Sequence, residues 1–163
     1  VTTGPHVTVE PEQLVAERRT TAYATLNTFL AQHAIMSETF GMRPAKLLVY
    51  LVIVTATVQR LMRAPELSGP VRGDVRLPRS DIGYISRRAI AAATGLPREN
   101  VRRIVNELLA EDLLLVGPRG GLANRGGLLE NPRIVTGLQA IIAEQARALQ
   151  RLCDSGVVAV IAH

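Results

Sequence analysis

Residues 87–106 read RRAIAAATGLPRENVRRIVN, and the spacing within them decides the fold expected of the chain. Ser86 suits the cap of a first short helix, Arg87–Thr94, because its hydroxyl can accept an otherwise unpaired backbone N–H. Ile90 and Ala91 lie on the inner face of that helix, and the small Ala91 lets a second helix come close. Gly95 follows the last turn, where a left-handed backbone costs little only for Gly. Leu96 fills the corner. Pro97 opens the next helix, at a position where its missing N–H would be unpaired anyway. Val101, Ile104, Val105 and Leu108 then recur at i, i+3, i+4 and i+7, which buries one side of this helix. The same spacing turns Arg98, Glu99, Arg102, Arg103 and Asn106 outward. Two short helices joined through Gly, the second apolar on one side and arginine-rich on the other, predict a helix-turn-helix.

The residues after this pair of helices predict a hairpin. Leu108–Val116 runs from helix into an apolar, β-prone stretch, and Gly117-Pro118-Arg119-Gly120-Gly121 is a turn. Leu122–Leu129 can return as the second strand, so a wing is expected over Leu113–Leu129. The fold class expected is mainly α with a small β-hairpin wing. It is a winged helix-turn-helix with flanking N- and C-terminal dimerisation helices.

Upstream, residues 1–10 read as a flexible tail and Pro11 as a helix start. Leu14, Ala22, Leu26, Phe29, Leu30 and His33 recur at helical spacing to about residues 32–35, and His33 on that stripe reads as a core or interface residue. Gly41 breaks the pattern. Pro44 starts a helix to Met62 or Arg63 whose middle, Leu47–Val54, is apolar all round, so cover from a second subunit is expected. Residues 64–83 form a connector with a short strand suggested by the alternation of Val71, Gly73, Val75 and Leu77. Downstream, Asn131-Pro132 reads as cap and first helical position. Ile134, Leu138, Ile141, Ile142, Gln145, Leu149 and Leu152 give a helical stripe ending near Gly156. The apolar tail Val157–Ile161 must pack on its own chain or a partner. The expected organisation is one winged-helix domain over 11–163. Within it, 11–63 are N-terminal helices, 64–83 the connector, 84–130 the helix-turn-helix and wing, and 131–163 the C-terminal helix and tail.

Charge points to the partner. The net charge is +5, from 19 basic and 14 acidic residues. Eight arginines, Arg72, Arg76, Arg79, Arg87, Arg88, Arg98, Arg102 and Arg103, face only Asp74, Asp81 and Glu99 in the same stretch. A local basic patch of this kind suits a phosphate backbone. With no Trp, three Tyr and two Phe, the chain is poor in rings for stacking single-stranded bases, which favours a duplex. The single Cys153 excludes an intrachain disulfide, and beside Leu152 at a helix end it reads as a packing residue ahead of a redox sensor. His6, His33 and His163 lie too far apart for metal-ligand spacing, so no metal or cofactor is expected. No nucleophile triad or phosphate loop is present, and the chain is expected not to be an enzyme. No signal-peptide pattern opens it, the first residue is not Met, and a start further upstream is expected. The longest apolar run, Leu47–Val58, falls short of the roughly 18–20 residues a bilayer needs, so a soluble, cytoplasmic protein without a membrane partner is expected.

Residues 85–115 resemble the winged-helix heads of bacterial transcription regulators. The phrase GLPRENVRRIVNELLAEDLL is similar to segments of the cyclic-nucleotide-receptor (Crp-like) and GntR-like families, and the element order is MarR-like. The Asp-x-Arg signature common in MarR wings does not occur in Gly117–Gly127. The resemblance implies a sequence-specific regulator of transcription that binds double-stranded DNA as a homodimer on an inverted repeat, with a small-molecule effector as a further partner. The second helix would lie in the major groove, with Arg98, Arg102 and Arg103 on guanine or phosphate and Asn106 on a base or the backbone. Glu99 would accept from cytosine or orient a neighbouring arginine. Arg87 and Arg88 would grip phosphates, Arg119 and Arg125 would meet phosphate or a minor groove, and Ser86, Pro97 and Asn100 complete the surface. The alternative is a winged helix used for protein contact alone.

Overall fold

The computed structural model describes residues 6–63 and 82–161, and of residues 60 and 61 the backbone alone. The connector and the short strand expected at Val71–Leu77 lie outside the described residues, as do Arg72, Arg76 and Arg79. The described chain is mostly helical, with two small antiparallel strand pairs. It divides into two compact units, one over Phe40–Ile134 and one made from the chain on either side of it. The sequence predicts one domain over 11–163; the difference arises because the largest buried cluster draws only on residues of the first unit.

That cluster is built around helix α3 (Pro44–Arg63), which packs against helices α4 (Arg87–Thr94) and α5 (Arg98–Ala110) and strand β3 (Leu122–Asn124). Val49, Tyr50 and Ile53 of α3 meet Ile90, Val101, Ile104, Val105, Leu108, Leu114 and Leu122, all buried. Each large apolar side chain so covered contributes about 1.5–3 kcal/mol. A second subunit was expected to supply some of the cover for α3; with α4, α5 and β3 of the same chain packed on it, Leu47, Val49, Tyr50 and Ile53 are buried, while Leu48 stays 44% exposed.

Strand β2 (Leu114–Val116) pairs antiparallel with β3, in register Leu114↔Asn124, Leu115↔Ala123 and Val116↔Leu122. The return strand is shorter than the expected Leu122–Leu129: Arg125 donates its N–H back to Leu113 O, Gly126 and Gly127 take positive φ, and Leu128–Glu130 forms a 3₁₀ turn. Ile85 adds a single bridge on the other side of β3, exchanging two backbone hydrogen bonds with Leu122 at 2.8 and 2.9 Å. A buried polar chain ties the hairpin to α3. Asn124 N–H donates to Thr57 Oγ1 (2.9 Å), whose hydroxyl donates to Ile53 O (2.8 Å).

The other unit holds strand β1 (His6–Val9), helices α1 (Pro11–Ala16) and α2 (Arg18–Phe40), most of helix α6 (Pro132–Asp154) and strand β4 (Val158–Ile161). Asn131 caps α6 by accepting the Arg133 N–H at 3.0 Å. Gly137 of α6 lets α2 approach, since a Cβ there would overlap Thr39. The flexible tail expected over 1–10 is corrected at residues 6–9. They pair antiparallel with β4, from His6↔Ile161 to Val9↔Val158, because the apolar Val157–Ile161 segment needs a partner. Ala24, Ile141, Val157 and Val158 are buried here, whereas Tyr23, Leu26, Phe29 and Leu30 of α2 each remain more than 60% exposed. No single described helix is long and apolar enough to cross a membrane.

Candidate nucleic-acid interface

The interface is prepared by local backbone chemistry. Ser86 Oγ accepts the Ala89 N–H at 3.2 Å and so caps α4. Gly95 ends that helix in the left-handed conformation, φ +69°, and donates its N–H to Ala91 O. Pro97 serves as the cap residue of α5 and Arg98 as its first helical residue, one position later than the sequence predicts. Val101, Ile104, Val105 and Leu108 are buried to within 1%. At roughly 100° per residue, their burial turns Arg98, Glu99, Arg102, Arg103 and Asn106 to the open side.

All twelve residues singled out from the sequence are exposed: Ser86, Arg87, Arg88, Pro97, Arg98, Glu99, Asn100, Arg102, Arg103, Asn106, Arg119 and Arg125. The structure gathers five of them. Arg87, Arg88, Arg98, Glu99 and Arg102 line one open hollow of about 250 Å³ where α4 and α5 begin. The lining includes first-turn residues of both helices, where the positive end of the helix dipole suits an anion.

The arginines sort by whether an acid already holds them. Arg87, Arg88, Arg98 and Arg119 carry no hydrogen bond or ion pair among the described residues. Arg102 donates Nε to Glu99 Oε2 (2.9 Å) and Nη2 to Glu99 Oε1 (2.6 Å). These hydrogen bonds hold the Glu99 carboxyl below its ordinary value; slight desolvation opposes the effect and the charges of Arg102 and Arg103 reinforce it. The same pair raises Arg102 further. Arg103 donates Nη1 to Glu107 Oε1 at 3.0 Å, and Arg125 pairs with Asp112 at 2.5 Å.

Glu107 is shared. Arg43, at the start of α3, donates Nη2 to both its oxygens, at 2.6 and 2.7 Å, and Lys46 pairs with Glu111 one turn further along α5. Such exposed pairs contribute about 0–1 kcal/mol each, so their main effect is on charge placement. Glu107 on α5, and Glu111 just past its end, are therefore compensated by bases, and Arg98 in the first turn is left without an acid among the described residues. Arg43 and Glu107 escaped the sequence analysis because they lie 64 residues apart, although the i, i+4 spacing of Arg103 and Glu107 was visible.

Arg119 occupies the hairpin tip in a left-handed conformation, φ +57°, next to Gly120 at φ +72°. Gly117 N–H closes the turn on Gly121 O at 2.8 Å. Tyr84 was also missed by sequence reasoning. Its ring lies so close over Gly117 that a Cβ there would overlap it, its own Cβ lies against Gly121, and the paired glycines flanking the turn were the only signal.

Cys153 is half-buried near the end of α6. Among the described residues no group of three or more His, Cys, Asp or Glu is placed to hold a metal. No family model matches the chain, and neither does any curated protein or solved structure.

Proposed function

We propose that the chain is a transcription regulator that reads double-stranded DNA through a winged helix-turn-helix. One observation carries the reading: Arg87, Arg88, Arg98 and Arg102 surround a single open hollow at the beginnings of two helices whose other sides are buried. Element order supports it. Helix α3, the bridged Ile85, α4, α5, β2 and β3 follow one another as the elements of a winged helix do.

In this mechanism α5, 13 residues and roughly 20 Å long, enters the major groove by its basic first turns. Glu107 and Glu111, at the far end of the helix, are already held by Arg43, Arg103 and Lys46, so Arg98 in the first turn, unpaired among the described residues, sets which end approaches. Arg87, Arg88 and Arg98 neutralise phosphates, and Arg119 at the hairpin tip reaches a flanking phosphate or the minor groove. A single head of this size binds weakly, so the protein acts as a homodimer on an inverted repeat. The outward apolar residues of α2 and of α6, among them Leu26, Leu30, Leu138 and Ile142, supply the dimer surface.

Selection of bound sequences from random duplexes at low salt tests the reading. An enriched inverted repeat, lost when Arg98 and Arg102 are changed to Ala, supports it; no enrichment overturns it. The alternative of a protein-contact module would leave duplex binding unaffected by both substitutions.

A further inference from the structure

We propose that Glu99 is a positioning residue that sets base selectivity at one site by holding Arg102. The inference rests on the duplex-reading assignment above and assigns a role within it.

A guanidinium offers five N–H donors on a rigid plane. Glu99 takes the Nε and Nη2 side of Arg102 with both of its carboxylate oxygens, at 2.9 and 2.6 Å. The two residues stand one turn apart on α5, so a short side chain and a long one meet without distorting the helix. This pairing leaves the Nη1/Nη2 end of the fork open. That end is the edge that matches guanine O6 and N7 in the major groove. Arg102 and Glu99 remain largely exposed, and the pair contributes little to folding.

The pairing changes Arg102 in two ways that act together. Its long side chain loses freedom before any ligand arrives, so less order is imposed on binding. Its charge is also cancelled locally, so it adds less than Arg87, Arg88 or Arg98 to attraction for any phosphate. Arg102 is thereby converted from a general cation into a directional donor. Both carboxylate oxygens of Glu99 are engaged by Arg102, which favours orientation over direct reading of cytosine.

The test compares wild type, Arg102→Ala, Glu99→Ala and Glu99→Gln by duplex selection, with affinity for an unrelated duplex measured beside it. Arg102→Ala is expected to remove one guanine preference, by about tenfold, and leave the other positions. Glu99→Ala is expected to weaken the same position alone while binding the unrelated duplex more tightly and with a steeper salt dependence. Glu99→Gln, which keeps an acceptor oxygen, is expected to restore part of the preference. A simple loss of fold would lower both affinities together. The inference is overturned if Glu99→Ala leaves the preference that Arg102→Ala removes, or if Arg102→Ala alters no position; in either case an enriched wild-type sequence keeps the duplex reading intact. Failure of the wild type to enrich any sequence overturns that reading and the inference with it.

Discussion

The phenol of Tyr50 donates a 3.1 Å hydrogen bond to Oδ1 of Asn124, joining the middle of α3 to the end of β3 inside the core. Burial pushes the Tyr50 phenol above its ordinary value, so the donor stays protonated. Tyr50→Phe removes the donor and leaves a buried amide oxygen unpaired, at a cost of about 1–3 kcal/mol. Urea denaturation is expected to show this as a lower midpoint at unchanged slope. Because the folded value is raised, the contribution is full below the unfolded value near 10 and is lost as pH rises through the folded one. Alkaline destabilisation should therefore be shallower in the Phe variant.

Two glycines make contrasting predictions. A Cβ on Gly83 would overlap the backbone carbonyl of Ala56, while Gly83 itself donates its N–H to Thr57 O at 2.9 Å. Backbone cannot swing aside, so Gly83→Ala is expected to cost about 1–3 kcal/mol in denaturant melts. Gly117→Ala meets only the ring of the half-exposed Tyr84, which can rotate away. Its cost should be smaller, and it should largely vanish in the Tyr84→Ala background.

The outcome at individual residues shows what was legible in the sequence. The Ser86 cap, the left-handed Gly95 and the buried face of α5 follow from short-range rules, and all three hold. Pro97 slipped by one position because a proline satisfies the cap and the first turn almost equally. Pairings across long separations left no local trace: β1 with β4, Ile85 with Leu122, and Arg43 with Glu107. The helical stripe of Leu26, Phe29 and Leu30 was visible as a stripe, but periodicity cannot tell whether a stripe is covered by its own chain. The described residues of one chain leave it exposed. At the candidate interface, exposure of the arginines was predictable, whereas their division into acid-held and unpaired groups required the fold.

On the proposed function, that division sets the salt dependence expected of duplex binding. Arg87, Arg88, Arg98 and Arg119 are available to phosphates without breaking an ion pair to any described residue. Each phosphate neutralised contributes roughly −0.9 to the slope of log affinity against log salt, so these four are expected to contribute roughly −3 to −4 per protomer. Arg88→Ala should flatten it by about 1, while Arg125→Ala, which breaks a pair with Asp112, should change it less. Fluorescence anisotropy on one duplex across a salt series checks both.

Acid should leave the Glu99–Arg102 fork intact over a wide range. Since hydrogen bonding from Arg102 holds the Glu99 carboxyl below its ordinary value, the pair is present above the ordinary carboxylate range. It is lost only as pH falls through that lowered value. Base preference measured by competition between two duplexes is therefore expected to be flat from about pH 7.5 to about pH 5.5. A preference that fades over this interval would mean that the carboxyl titrates above its unperturbed value.

Sedimentation at micromolar concentration is expected to give a dimer. Leu26→Glu combined with Ile142→Glu places charge on the outward stripes of α2 and α6, where the wild-type side chains are 63% and 62% exposed. The double variant should sediment as a monomer and lose affinity for an inverted repeat while retaining that for a half-site. A monomeric wild type would end the homodimer proposal.

The pairing of β1 with β4 also imposes an order in time. His6 finds Ile161 only after the whole intervening chain has been made, and closing so long a loop is entropically slow. The unit over Phe40–Ile134 is contiguous and can condense while later residues are still being synthesised. A nascent chain thus completes its arginine-bearing head first and keeps β1 waiting for its partner. The surface proposed for dimerisation is assembled last, so on the proposed function pairing would wait until each copy carried its finished arginine-bearing unit.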